Sequence, residues 1–183
     1  MHNYSNPALP LITAEIQSSE IGFRRLIGED LRANRNNTKG KTVLILYRFA
    51  SLVASGKTMK FIFFPYLIFY KLIVEWVLGI ELPWHLKAGP GLKLYHGQGT
   101  VINRNVTIGS NCVIRHSTTI GNAREGGNCP VIGNNVDIGC HVCIIGDIQI
   151  GNNVIIGAGS VVVKNIPSNV VVAGNPARII KNF

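Results

Sequence analysis

Residues 101–122 read VINRNVTIGSNCVIRHSTTIGN, and residues 131–163 read VIGNNVDIGCHVCIIGDIQIGNNVIIGAGSVVV. The two stretches keep one register. Aliphatic residues stand at Ile102, Ile108, Ile114, Ile120, Ile132, Ile138, Ile144, Ile150, Ile156 and Val162, every step being six residues except for one of twelve. A second set (Val106, Cys112, Thr118, Val136, Val142, Val154, Ser160) is small or β-branched and falls four residues behind the first. Neither the helical period of 3.6 nor the strand period of 2 gives a spacing of six. A hexapeptide repeat winding a parallel β-helix does. Each short strand points one aliphatic residue inward, and three hexapeptides make one triangular coil. The turns need residues that accept left-handed backbone geometry, which explains the recurrent IGSN and IGNN. The expected fold class is mainly β: a left-handed parallel β-helix with an N-terminal α-helical region.

The twelve-residue step contains GNAREGGNCP, residues 121–130. Charges, paired glycines and a proline break the repeat there while keeping its phase. A loop extruded over 121–131 is expected, and loops on rigid scaffolds are where function concentrates. Upstream, residues 23–80 read as helical. The run FPYLIFYKLIVEWVLGI, 64–80, is strongly apolar but carries Lys71 and Glu75. Those charges, with Pro65, argue against a membrane span. A helix buried against helices or subunits, or one attached to a membrane surface, fits better. The domain division is therefore a helical region at 1–80 and a β-helix at 81–183.

The net charge of +9 favours polyanionic partners. With no run of five basic residues and no recognition motif, nucleic acid is not expected. The N-terminus MHNYSNPALPLITAEIQ lacks the basic start and unbroken apolar run of a signal peptide. The expected setting is cytoplasmic and reducing, and could be the inner face of the membrane. The cysteines Cys112, Cys129, Cys140 and Cys143 are then free thiols. Cys140 and Cys143 form one CxxC, half of a zinc site with no second pair at zinc spacing. His96, His116 and His141 do not show the histidine pattern of the β-helical carbonic anhydrases. No metal is expected.

His96 stands in LKLYHGQGTVINRN, residues 92–105. Together with EDLRANR, YRFA, GIELPWHLKAGPGLKLYHGQGTVI and the closing GAGSVV…IP…AGNPARI, this stretch resembles the hexapeptide acyltransferases of the serine acetyltransferase-like branch. The resemblance runs from about residue 24 to 183. In that family an aspartate lies fifteen residues before the catalytic histidine; here those positions are Glu81 and His96. The resemblance implies an acetyl-CoA-dependent acyltransferase with His96 as general base and Glu81 as the carboxylate that orients its ring. Neutral imidazole suits proton abstraction from a hydroxyl near neutral pH. The glycines after His96 are candidates for oxyanion donors. Carried by position, the cofactor groove uses Thr119, Gly121, Cys140, Ala158 and Gly159, and Lys164, Arg178 and Lys181 meet the nucleotide phosphates. The family also implies a homotrimer with sites between neighbouring prisms, which the helical region could pair further into a dimer of trimers.

The sequence departs from serine enzymes around the acceptor. Tyr95 replaces their acidic residue before the histidine, and Asn128-Cys129 replaces their Arg-His before the loop-ending proline. Groups that would hold an ammonium and a carboxylate are thus missing where expected. The pattern YHGQGTVIN…IRHSTTIGN…NCPVIG resembles more closely the acetyltransferases of bacterial capsule, exopolysaccharide and O-antigen synthesis. Tyr95, His116, Asn128 and Cys129 are the expected acceptor contacts, and the acceptor is expected to be a saccharide, favoured by the positive charge if acidic. Serine O-acetylation and N-acetylation of an amino sugar are the alternatives.

Overall fold

A computed structural model describes residues 22–183. Four α-helices open it: α1 (Phe23–Ala33), α2 (Thr38–Ser55), α3 (Lys57–Ile62) and α4 (Phe64–Tyr70), the last running into a π-helical segment, Lys71–Val77. Asn37 caps α2 by accepting a hydrogen bond from the Gly40 amide at 3.0 Å, and Gly56 ends it. The domain boundary expected at residue 80 falls where strand β1 (Ile80–Glu81) follows the last helical turn; the part of the helical region before residue 22 lies outside the described residues.

Fourteen short parallel strands then wind through three sheets. One sheet runs β1, β4 (Thr100–Ile102), β7 (Thr119–Gly121), β10 (Cys143–Ile145) and β13 (Val161–Val162). The second holds β2 (Lys87–Ala88), β5 (Thr107–Ile108), β8 (Val131–Ile132) and β11 (Gln149–Ile150). The third holds β3 (Lys93–Tyr95), β6 (Val113–Arg115), β9 (Asp137–Ile138), β12 (Val154–Ile156) and β14 (Val170–Ala173). A fifteenth strand, β15 (Arg178–Asn182), closes the third sheet antiparallel to β14. The chain is a parallel β-helix, as the six-residue period requires.

Both periodic sets point inward. All ten aliphatic positions from Ile102 to Val162 are buried, and so is the small set from Val106 to Ser160. Buried aliphatic area of this kind contributes about 25 cal/mol per Å². Coil spacing is tight: a Cβ at Gly139 would lie 2.6 Å from the Ala158 amide nitrogen, so only glycine fits there. One corner is a ladder of left-handed asparagines, Asn111, Asn135, Asn153 and Asn169, whose side-chain amides hydrogen-bond from coil to coil.

Strand pairing locates two departures from regular winding. Val101 lies beside Thr119, and Val131 beside Gln149, an eighteen-residue coil. Tyr95 lies beside Arg115, twenty residues on, so two extra residues sit between Tyr95 and Val101, around His96. Thr107 lies beside Val131, twenty-four residues on, which accounts for the extruded loop.

The helices cap the first coil, whose edge would otherwise present unpaired backbone. Asn34 donates to the Leu92 carbonyl at 2.8 Å and Asn37 to that of Leu94 at 2.7 Å. Tyr47 donates to the Leu86 carbonyl and Tyr70 to that of Leu82. At the centre, buried Arg48 holds Asp30 at 2.8 Å and donates to the carbonyls of Ala88 and Gly89, while Asp30 accepts from the Leu92 amide.

Candidate active site

His96 directly follows β3, within the two-residue excess. Its backbone is left-handed (φ 63°), which costs a non-glycine residue about 1 kcal/mol. The imidazole is exposed at a corner of the prism and lines an open depression with Gln98, Gly99, His116 and Ser117. The rings of His96 and His116 meet edge to face, 6.0 Å between centroids, and His116 meets His141 likewise at 5.3 Å. Register produces this column. The His141 amide bonds to the His116 carbonyl, and the Ser117 amide to that of Gln98, so residues far apart in sequence stack at one corner.

Tyr95 ends β3 beside Arg115. Lys93 Nζ stands 4.4 Å from its ring centroid and the Arg115 guanidinium 5.8 Å, so two cations flank the ring. Arg115 is itself ion-paired with Asp137.

The expected oxyanion donors are already in use. The Gly97 amide bonds to the Tyr95 carbonyl at 2.7 Å, that of Gln98 to His96 at 2.9 Å, and that of Gly99 to Gly79 at 2.8 Å. An oxyanion at this site therefore needs other donors.

Glu81 lies on β1 and is exposed. It lines a neighbouring depression with Lys71, Glu75, Trp84, His85 and Arg104. Among the described residues, no hydrogen bond joins it to His96. Burial and the nearby cations Arg104 and Lys60 hold the His85 imidazole below its ordinary pKa. Trp84 Nε1 and His116 Nδ1 are buried and lack hydrogen-bond partners among the described residues.

Of the other expected acceptor contacts, Asn128 donates to Asp147 at 2.9 Å, and Cys129 is buried, which pushes its thiol pKa up. Of the expected cofactor residues, Cys140 and Gly159 stand on adjacent coils in direct backbone contact. Thr119 pairs with Cys143, the Gly121 carbonyl accepts from Gly146, and the Cys140 carbonyl accepts from Gly159 beside exposed Ala158. Lys164, Arg178 and Lys181 are exposed near the far end. Cys140, rather than pairing with Cys143 in the CxxC, gathers with His116 and His141 with ligand atoms within 4.8 Å of one another. Spacing alone hid that grouping: the extruded loop sets the positions 24 residues apart instead of 18, bringing Cys140 over His116.

A six-residue repeat wound into three parallel sheets, with a histidine corner, fits the hexapeptide-repeat acetyltransferases, and similarity to a named acetyltransferase along most of both chains shows that the chain belongs to that family. Within it, the chain is related to the serine acetyltransferases and to an acetyltransferase named for colanic acid biosynthesis. No family model matches. The chain is 38% identical over 156 residues to a protein of Escherichia coli K12 named as the colanic acid biosynthesis acetyltransferase WcaB, covering 82% of this chain and 96% of that protein. It is 39% identical over 104 residues to a serine acetyltransferase of Synechococcus elongatus, covering 56% of this chain and 43% of that one. The structure of a Brucella abortus serine acetyltransferase in complex with coenzyme A superposes with a TM-score of 0.75 at 26% identity, covering 94% of this chain and 73% of that one.

Proposed function

We propose that the protein transfers an acetyl group from acetyl-CoA to a hydroxyl of a bacterial surface saccharide. The observation that carries this reading is the lining of the His96 depression: His96, Gln98, Gly99, His116 and Ser117 include neither a carboxylate for an ammonium nor a guanidinium for a carboxylate. A free amino acid needs both. A sugar hydroxyl needs a base, neutral hydrogen-bond partners and an apolar surface for the ring face; Tyr95, whose ring lies 6.1 Å from that of His96, is proposed for that surface. Resemblance to a protein named for colanic acid biosynthesis, along nearly that protein's whole length, supports a saccharide acceptor.

In this proposal neutral His96 takes the proton of the acceptor hydroxyl while its oxygen attacks the thioester carbonyl. The tetrahedral adduct then expels the thiolate, which recovers the proton from His96. Glu81 enters as the carboxylate that biases the His96 ring, on family spacing. His116, which lines the same depression as His96, is proposed to contact the acceptor. The groove along Thr119, Gly121, Cys140, Ala158 and Gly159 is proposed for the pantetheine arm, because small side chains let it approach the backbone. Lys164, Arg178 and Lys181 are proposed for the phosphates. A trimer would bring a neighbouring prism against the histidine corner and enclose the site. Free-thiol release from acetyl-CoA tests the acceptor. Release with acidic oligosaccharides and none with serine is expected; release with serine alone overturns the reading.

A further inference from the structure

The helices that cap the β-helix leave further apolar surface uncovered. Leu67, Tyr70 and Val74 are buried against α2 and the first coil. Elsewhere on these elements stand Phe61 near the end of α3, Phe64 and Ile68 on α4, and Leu72 and Trp76 on the π-helical segment that continues it. All five are exposed, Phe61 at 87% and Trp76 at 77%. So much exposed apolar surface in one stretch of chain is not a random scatter of surface residues.

Its charges are mostly basic. Lys57, Lys60 and Lys71 lie in the same stretch and are exposed, and the sequence has no acidic residue between Asp30 and Glu75. Glu75 itself is within 3.9 Å of Lys71. Three lysines to one carboxylate would leave uncompensated basic charge in a two-fold contact between copies. An anionic lipid surface complements them. Among the described residues, no helix is long and apolar enough to cross a membrane. Exposed aromatic and aliphatic side chains with lysines among them mark a segment lying in the interface plane.

We propose that residues 57–77 dock the protein on the surface of an anionic phospholipid bilayer, with Phe61, Phe64, Ile68, Leu72 and Trp76 entering the headgroup boundary and the lysines meeting lipid phosphates. This rests on the exposed face alone and holds whatever the acceptor. If the acceptor reading is also correct, the enzyme meets its saccharide at a membrane.

Flotation of the full chain with vesicles of phosphatidylcholine, alone or mixed with phosphatidylglycerol, tests the proposal without substrate. Binding to the mixed vesicles is expected. In a Trp84→Phe background, Trp76 emission should shift to the blue on binding. Phe61→Ser with Phe64→Ser should abolish binding at low and high salt with an unchanged thermal midpoint. Lys57→Ala and Lys60→Ala should each weaken it about fivefold at low salt only. No flotation of the unmodified chain, or equal flotation of the phenylalanine variant, overturns the proposal. So does sedimentation in which that variant splits a larger assembly, since the face would then belong to a second copy.

Discussion

The ring of His116 stands edge-on to that of His96, 6.0 Å away, although twenty residues separate them and a regular coil would need eighteen. The two-residue excess between Tyr95 and Val101 lengthens the turn that carries His96, which lies at an exposed corner. Both histidines then face one depression.

Because His96 occupies a left-handed backbone position, asparagine is a better structural fit there than histidine. His96→Asn should therefore unfold at an equal or higher temperature than the unmodified chain. Its acetyl transfer should fall about 10²–10⁴-fold, the usual loss on removing a general base. Calorimetry and the thiol assay together check this. A concurrent loss of stability would show that His96 is structural.

Removing one partner of the Asp30–Arg48 pair should be severe. Both side chains are buried, and Arg48 also satisfies two carbonyls of the first coil. Arg48→Met should cost about 3–5 kcal/mol in urea unfolding, because it strands a buried carboxylate. The double variant with Asp30→Asn should be less destabilised than the sum of the singles.

Alkaline pH should loosen the cap. Burial pushes the Tyr47 and Tyr66 phenols up to about 12, and that of Tyr70 upward as well. A phenol that keeps its proton when folded but loses it near pH 10 when unfolded stabilises fully below pH 10. That contribution is lost as pH rises through 12. For fully buried Tyr47 it is about 2–3 kcal/mol. Tyr47→Phe should be about 1–3 kcal/mol less stable at neutral pH, having lost its bond to Leu86, yet decline less between pH 10 and 12. Unfolding midpoints across that range check it.

The extruded loop is predicted to serve the reaction and not the scaffold. Residues 123–128 are exposed. Deleting these six residues restores the eighteen-residue coil. The product should keep its β-sheet circular dichroism and most of its thermal stability, while acetyl transfer to saccharide falls at least tenfold. Equal activity would make the loop a tolerated insertion.

The wall of the prism was legible because one inward position in every six is aliphatic, and a six-residue spacing fits neither helix nor plain strand. The first coil escaped that reading. Leu82, Ala88 and Leu94 continue the register at steps of six, but the excess around His96 stretches the next step, to Ile102, to eight. Ala88 also lacks the expected bulk, where Arg48 reaches in to its carbonyl. His96 was singled out by its fifteen-residue spacing from Glu81, and the structure sets it at an exposed corner after β3. The use of the Gly97 and Gly99 amides was not legible, since hydrogen bonds made within a turn leave no trace in residue type. That Glu81 lines a neighbouring depression, with no hydrogen bond to His96 among the described residues, was equally hidden, because spacing along the chain does not fix side-chain direction.

The most direct test of the account is mass analysis of a purified acidic surface oligosaccharide after incubation with acetyl-CoA and the enzyme. The account predicts an alkali-labile acetyl ester on the sugar, formed by the unmodified chain and lost with His96→Asn. An unmodified oligosaccharide alongside acetylated serine, or an ester formed equally by His96→Asn, would contradict it.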